Sequence, residues 1–332
     1  MRVKMVGEYS ERKLIEILKV LSEHREPVGA RLVANELMRR GFRLDERTVR
    51  YHLKILDERG LTENFGYEGR VITAKGLEEI RNALMISRMG FVIAKIESLI
   101  YRMDFDIESG KGNVIVNLAL VDDENFKEAI VIIKRVIKAG YTVSSKIRIL
   151  DGGESFGGNT VPQGKKMIFT LCSITQDGIL HKAGIPITLE FGGVLQVVNG
   201  KPLRFTDAIK YTGTTLDPLD LFATKGLSSV MKAIETGNGQ ILTNLREIPM
   251  DAVDNAKMIL QKAERLGIGG VLKIGEPNES IFGVPVGIGR VGIALIGGTN
   301  PLAAVSESGI PIQTKVIEDL MPFEEMTHID EI

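Results

Sequence analysis

Leu14, Ile17, Leu18 and Leu21 recur at helical spacing and predict a first helix over about 9–24, with Ser10 as its cap. Pro27 and Gly29 end it, and a second helix over about 30–40 stops at Gly41. Asp45 reads as the N-cap of a third helix, DERTVRYHLKILDERG, which Gly60 closes. Val49, Leu53 and Leu56 share one face of it, while Arg47, Thr48, Arg50, Tyr51 and Lys54 fall largely elsewhere. LTENF and RVIT follow as two short strands joined by GYEG, a hairpin. GLEEIRNALMISRMG then predicts a further helix, with Ile80, Leu84 and Ile86 on its inner side.

Helix, turn, helix, turn, basic helix, hairpin is the order of a winged helix-turn-helix, whose third helix enters the major groove of double-stranded DNA. Arg47, Thr48, Arg50, Tyr51 and Lys54 are the candidate DNA contacts, because Arg pairs bidentately with guanine and Thr meets hydroxyl acceptors or the thymine methyl. Arg70, on the hairpin, is placed to reach the adjacent backbone or minor groove. His52 reads as a packing residue.

From about residue 111 the hydrophobic pattern runs through one sequence of elements twice. VIVNLALV precedes the helical ENFKEAIVIIKRVIKAG, and ILTNLREIPM precedes DAVDNAKMILQKAERLGIG. A short strand, a VPxG tetrapeptide (Val161–Gly164; Val284–Gly287), an apolar strand and GIPI (Gly184–Ile187; Gly309–Ile312) follow in each pass. The offsets between equivalent points are all near 125 residues, which marks duplicated units. Helices that must cover sheets predict an α/β effector domain with pseudo-two-fold symmetry and a ligand cleft between the halves. The stretch from FGG to Val230 reads as an insertion without a counterpart after the second GIPI.

The resulting fold class is α/β (mixed α+β), a winged helix followed by a duplicated effector domain. Its expected boundaries are 1–75 for the winged helix, 76–110 for a helical connector and 111–330 for effector binding and dimerisation, with halves of about 111–235 and 236–330. Charge agrees with that division: 18 Lys and Arg face 14 Asp and Glu in residues 1–90, against 24 and 29 beyond. One cysteine excludes a disulfide framework and a multi-cysteine zinc site, and the four histidines form no metal-binding pair. No resident cofactor is expected. The N-terminus lacks a signal-peptide pattern and no apolar run is long enough for a membrane span, so a cytoplasmic chain is expected.

Three glycine motifs fail their context. Gly153–Gly157 matches GxSxG, but GNTVP follows where a nucleophile elbow needs a helix. Gly287–Gly292 matches GxGxxG yet leads into a strand, and Gly158–Lys165 misses phosphate-loop spacing and its Ser or Thr. An enzyme is therefore not expected. A dicarboxylate would need cations or N–H donors, and Arg246, after a predicted strand, offers a bidentate grip. The bland alternative is an ion pair with Glu247 or another acid.

The chain resembles the archaeal nitrogen-regulation repressors of the NrpR type. The resemblance rests on RTVRYHLKILDERGLT, LCSITQDGILHKAGIP, FGG, KPLRF, IKYTGTTLDPLDLF, GNGQILTNLREIP and VGIGRVGIALIGGTNP, and covers nearly the whole chain. It implies a dimeric repressor of nitrogen-assimilation promoters, released from DNA by 2-oxoglutarate, and winged-helix geometry predicts a homodimer on an inverted-repeat operator. It places Cys172 and Ser173 in or beside the effector site; Lys182 beside the GIPI turn, Gly192 and Gly193 of FGG, and Arg246 are further candidates read from the residues themselves. Some members carry two regulatory domains and this chain one, so a second regulator chain is an alternative partner. Other readings are a winged-helix regulator sensing another metabolite or redox state, and a corepressor with weak DNA binding of its own.

Overall fold

The computed structural model describes residues 13–24, 26–80 and 91–332. Ser10, Leu84 and Ile86 lie outside the described residues. The chain divides into two compact units, Met1–Arg88 and Met89–Ile332.

In the first unit α1 (13–22), α2 (Ala30–Arg39) and α3 (Glu46–Glu58) precede a two-stranded hairpin, β1 (Thr62–Asn64) and β2 (Arg70–Ile72), and α4 (74–80). Leu14, Ile17, Leu18 and Leu21 of α1, Val33 and Leu37 of α2, and Val49, Leu53 and Leu56 of α3 form its core, which Ile80 of α4 joins. Asp45 caps α3 by accepting the Thr48 N–H (2.6 Å), a bond that also holds its carboxyl below the usual range. The predicted connector therefore does not stand apart. Residue 80 packs into the first core, and α5 (Phe91–Arg102) sends Val92, Ile96 and Leu99 into a core of the second unit.

The second unit holds two five-stranded antiparallel sheets and the duplication read from the sequence. Its first pass is β3 (Asn113–Asp122), α6 (Asp123–Lys138), β4 (Lys146–Leu150), β7 (Lys165–Leu171), α7 (Ile174–Lys182) and β8 (Thr188–Val198). The small hairpin β5 (Ser155–Phe156) and β6 (Asn159–Thr160) interrupts it, carrying the GxSxG match as a loop and not an elbow. The second pass is β10 (Gly239–Pro249), α10 (Val253–Arg265), β11 (Val271–Ile274), β12 (Arg290–Ile296), α11 (Asn300–Glu307) and β13 (Ile312–Pro322). Between them lie β9 (Lys201–Lys210), α8 (Pro218–Thr224) and α9 (Val230–Thr236), and β14 (Thr327–His328) ends the series.

The strand orders are β13-β3-β7-β4-β14 and β11-β12-β10-β8-β9. Equivalent strands occupy equivalent places, but each pass donates its last strand to the other sheet. Thus β8 pairs with β10 (Asn244 opposite Gly192), and β13 pairs with β3 (Lys315 opposite Leu118). This corrects the division at about residue 235, because sequence repeats report which elements recur and not whose edge they complete. It also corrects the predicted insertion. Residues 188–198 have their counterpart in 312–322, and only the stretch from β9 to α9 is unmatched. Side chains of α6 and α11 share one core with strands of both sheets, which binds the exchanged halves into one body.

Candidate functional site

On α3 the buried face of Val49, His52, Leu53 and Leu56 leaves Arg47, Arg50, Tyr51 and Lys54 exposed on the other, with Thr48 at the border. Tyr51 is 64% exposed. Arg50 reaches back one turn to Glu46, and Lys54 lies 3.9 Å from Glu58, both in solvent and readily exchanged for phosphate. His52 packs inside, where burial pushes its pKa down and keeps it neutral. Arg70 is a correction. Its guanidinium turns inward to Asp57 (2.9 Å), which also accepts the Thr62 hydroxyl, and its backbone pairs with Val28 on both sides. A side chain so tied braces the hairpin against α3 and is not extended toward a duplex. At the hairpin tip the exposed side chains are Asn64, Phe65, Tyr67 and Glu68.

In the second unit the two strand-to-helix corners meet where the sheets are exchanged. After β7 the Thr175 hydroxyl accepts the Ile115 N–H (3.0 Å) and donates to the Ile115 carbonyl (3.1 Å). After β12 Asn300 does the same for Leu242, accepting its N–H (2.8 Å) and donating to its carbonyl (2.9 Å). Both passes thus close their corners with one polar side chain on the neighbouring strand. The corners touch through the Thr170 hydroxyl, which donates to the Gly298 carbonyl (3.0 Å). A Cβ on Gly298 would sit 2.1 Å from the Leu171 carbonyl oxygen, so only glycine permits that approach.

Beside this crossing lies a small, tightly packed cavity, and Asn117, Cys172, Ser173, Tyr211, Asp217 and Asn244 are among its walls. Asn117 and Asn244 hold the same place in the two passes. The Tyr211 hydroxyl donates to Asn244 Oδ1 (2.9 Å), whose Nδ2 donates to Ser173 Oγ (2.9 Å). Asn117 Oδ1 accepts from the N–H of Ile317, which a bulge in β13 holds at φ 52°, an unusual conformation for a β-branched residue. Two polar atoms in the wall are left without a protein partner: Asn117 Nδ2 and the Thr299 hydroxyl. Buried orphan donors cost free energy unless something accepts from them, and the oxygen of a water or of a small ligand would satisfy both.

Charge in the cavity is uneven. Asp217 caps α8 through the N–H groups of Leu219 and Asp220, yet burial, which outweighs those bonds, pushes its carboxyl up to about 6. Burial also pushes the Cys172 thiol up to about 12, which makes it a core group and not a nucleophile. Arg246 is 1% exposed, lies 5.1 Å under the Tyr211 ring and donates through Nε to both Asp177 oxygens (3.1 and 2.9 Å). Its partner is therefore Asp177, and not Glu247, which faces Arg290 and the Gly287 N–H. Arg246 Nη2 remains unpartnered.

The candidates divide accordingly. Cys172 and Ser173 line the cavity, and Arg246 stands behind Tyr211. Lys182 is exposed at the opposite end of α7 from Ser173, and the structure does not bring it to the cavity. Gly192 and Gly193 lie within β8, where a Cβ would strike Pro218 at 2.7 Å and the Asp207 carbonyl oxygen at 2.4 Å; they admit α8 and β9, not a ligand. Sequence reasoning missed Asn117, Tyr211, Asp217, Asn244 and Thr299. The asparagines could have been found from the repeated NL of VNL and TNL, and Asp217 from the Asp-Pro that caps a helix with proline in its first turn. Among the described residues no group of three or more His, Cys, Asp or Glu could hold a metal, and no helix is long and apolar enough to cross a membrane.

Comparison with known proteins gives a consistent assignment. Residues 89–328 match the NrpR regulatory domains NRD1 and 2, starting where the second unit starts, and residues 15–80 match the ribonuclease R winged-helix domain. The chain is 43% identical over 98% of its length to the global nitrogen regulator NrpRI of Methanosarcina mazei, covering 100% of that protein. It is 36% identical to the global nitrogen regulators NrpR of Methanocaldococcus jannaschii and Methanococcus maripaludis, of which it spans 55% and 51%. A crystal structure of a nitrogen repressor-like protein from Methanococcus jannaschii superposes with a TM-score of 0.60 at 30% identity, over 71% of this chain and 97% of that one.

Proposed function

The chain belongs to the NrpR family of regulators, and from that premise we propose that it represses nitrogen-assimilation genes and is released from their operators by 2-oxoglutarate. DNA binding follows from the family's regulatory character and from the winged helix, whose α3 presents Arg47, Arg50, Tyr51 and Lys54. The reading of a homodimer on an inverted repeat draws on the two-fold matching of winged-helix dimers to half-sites. A second regulator chain is the alternative partner, since two relatives are nearly twice as long as this chain.

The observation that supports a small effector is the cavity at the crossing of the two passes, with unpartnered donors on Asn117 and Thr299. Those donors suit carboxylate or keto oxygens. Asp217 would oppose a dianion while charged, but with its carboxyl at about 6 it takes a proton at pH 7 for about 1.4 kcal/mol and becomes a donor. The effector weakens DNA binding only by as much as it prefers the released arrangement.

The test pairs a gel shift on upstream regions of nitrogen-assimilation genes with melting curves. Millimolar 2-oxoglutarate should release the duplex and raise the melting temperature, with stabilisation of about 2.7 kcal/mol at a hundredfold excess over Kd. Glutamate and succinate, which lack the keto oxygen, should do neither, because a site donor is then left unpaired. If 2-oxoglutarate neither stabilises the chain nor releases DNA, the effector assignment fails while the winged-helix assignment stands.

A further inference from the structure

A second cavity, of about 160 Å³, lies between α8, α11 and β13 and shares the wall residues Thr299 and Val316 with the first. Its chemistry is opposite. The Asp220 carboxylate lines it and, among the described residues, has a single long hydrogen bond, from the Thr314 hydroxyl at 3.4 Å, and no ion-pair partner. Partial burial raises the pKa of that carboxyl, as expected of a charge with no ion-pair partner. The Thr299 hydroxyl, in the wall that the two cavities share, is a second observation: the residue is 6% exposed, and Oγ1 has no hydrogen-bond partner. The rest of the lining is largely aliphatic, including Ala223, Leu302 and Ile312.

We propose that this outer cavity binds a primary ammonium group on a short apolar stem, held by the Asp220 carboxylate and the Thr299 and Thr314 hydroxyls. An ammonium carries three donors, and these three side chains supply four acceptor oxygens, while the aliphatic wall takes the stem. An anion would meet Asp220 and, behind it, Asp217, whose charges already repel one another. A quaternary ammonium would want aromatic faces, and the lining has none. A calcium ion needs six to eight oxygens, and one carboxylate with hydroxyls falls short. The proposal does not depend on which acid fills the inner cavity.

The ammonium has two possible sources, a free small amine or a lysine of another chain. The probes are therefore n-propylammonium chloride and Nα-acetyl-lysine methylamide, titrated into the full chain by ligand-observed NMR, with propionate and 1-propanol as controls. Both ammonium probes should bind saturably and the controls should not. Asp220→Asn, nearly the same shape, should weaken both by about tenfold to a hundredfold. Thr299→Val removes one acceptor without touching α8 and should weaken them severalfold, which keeps the test open if Asp220→Asn misfolds. If a partner lysine is the source, Asp220→Asn also shifts the sedimentation coefficient and n-propylammonium dissociates the assembly; if a free amine is, neither changes. Absence of saturable binding, or full binding by a folded Asp220→Asn chain, overturns the proposal. A 2-oxoglutarate titration on the same sample is a separate result.

Discussion

Replacing Arg246 by Ala removes the cation from a pair whose side chains are each 1% exposed. The Asp177 carboxylate would remain in an interior where burial alone already favours its neutral form. Breaking one side of such a pair costs about 3–5 kcal/mol, a large share of the roughly 5–15 kcal/mol that holds a domain folded. For a unit of this size each kcal/mol lowers the melting temperature by about 2–4 °C, so the variant should melt on the order of 10 °C lower. The chain has no tryptophan, so far-UV circular dichroism is the assay. Arg246→Met with Asp177→Leu removes both charges and should recover most of the loss, since buried pairs contribute little over apolar residues of similar volume. A single variant melting within about 2 °C of wild type, or a double variant no better than the single, would refute the reasoning. Loss of induction in Arg246→Ala would then report folding as much as ligand contact.

Arg50→Ala should weaken operator binding by about 1–3 kcal/mol in a gel shift, whereas Arg70→Ala should spare it and lower winged-helix stability by a similar amount through its lost bond to Asp57; the opposite pattern would return Arg70 to the DNA face. Native Cys172, buried with its thiol at about 12, should resist iodoacetamide at pH 8 until the chain is unfolded; rapid native labelling would revive the redox reading. Asp217 sits at about 6 when folded against 3.8, so the folded state holds its proton more tightly and stability falls as pH rises across that window, by about 3 kcal/mol. Asp217→Asn should lack that slope, and a wild-type stability that does not decline from pH 4 to pH 6 relative to the variant would count against it.

The winged helix was legible in the sequence because every level agreed: Leu14 to Leu21 at helical spacing, Asp45 as a cap, Gly60 as a stop and a short hairpin. Arg70 misled because its position on the hairpin is visible in sequence, but its partner, Asp57, lies on another element. The same limit applied to the cavity. Cys172 and Ser173 came from motif resemblance, while Tyr211, Asp217 and Asn244 join them only through the exchange of β8 and β13, a long-range pairing with no local signal. The two glycines of FGG were legible as places of close approach. What approaches, Pro218 and the Asp207 carbonyl, was not.

The exchange has a consequence for ligand number. A duplicated domain whose halves closed separately would carry two like sites, each lined by one pass. Here Asn117, Cys172 and Ser173 come from the first pass and Asn244, Thr299 and Ile317 from the second, so neither pass alone encloses the cavity. The elements between the passes break the symmetry that remains: Tyr211 and Asp217 fill the crossing from one side, and nothing after β13 repeats them. One cavity of this composition per chain therefore follows from the topology. Its walls include the last strand of one pass and both corners, so a ligand there touches the elements that bind the two sheets together. Under the proposed function, occupancy would then act on how the sheets pack, which is the differential contact an effector needs in order to shift one arrangement against another.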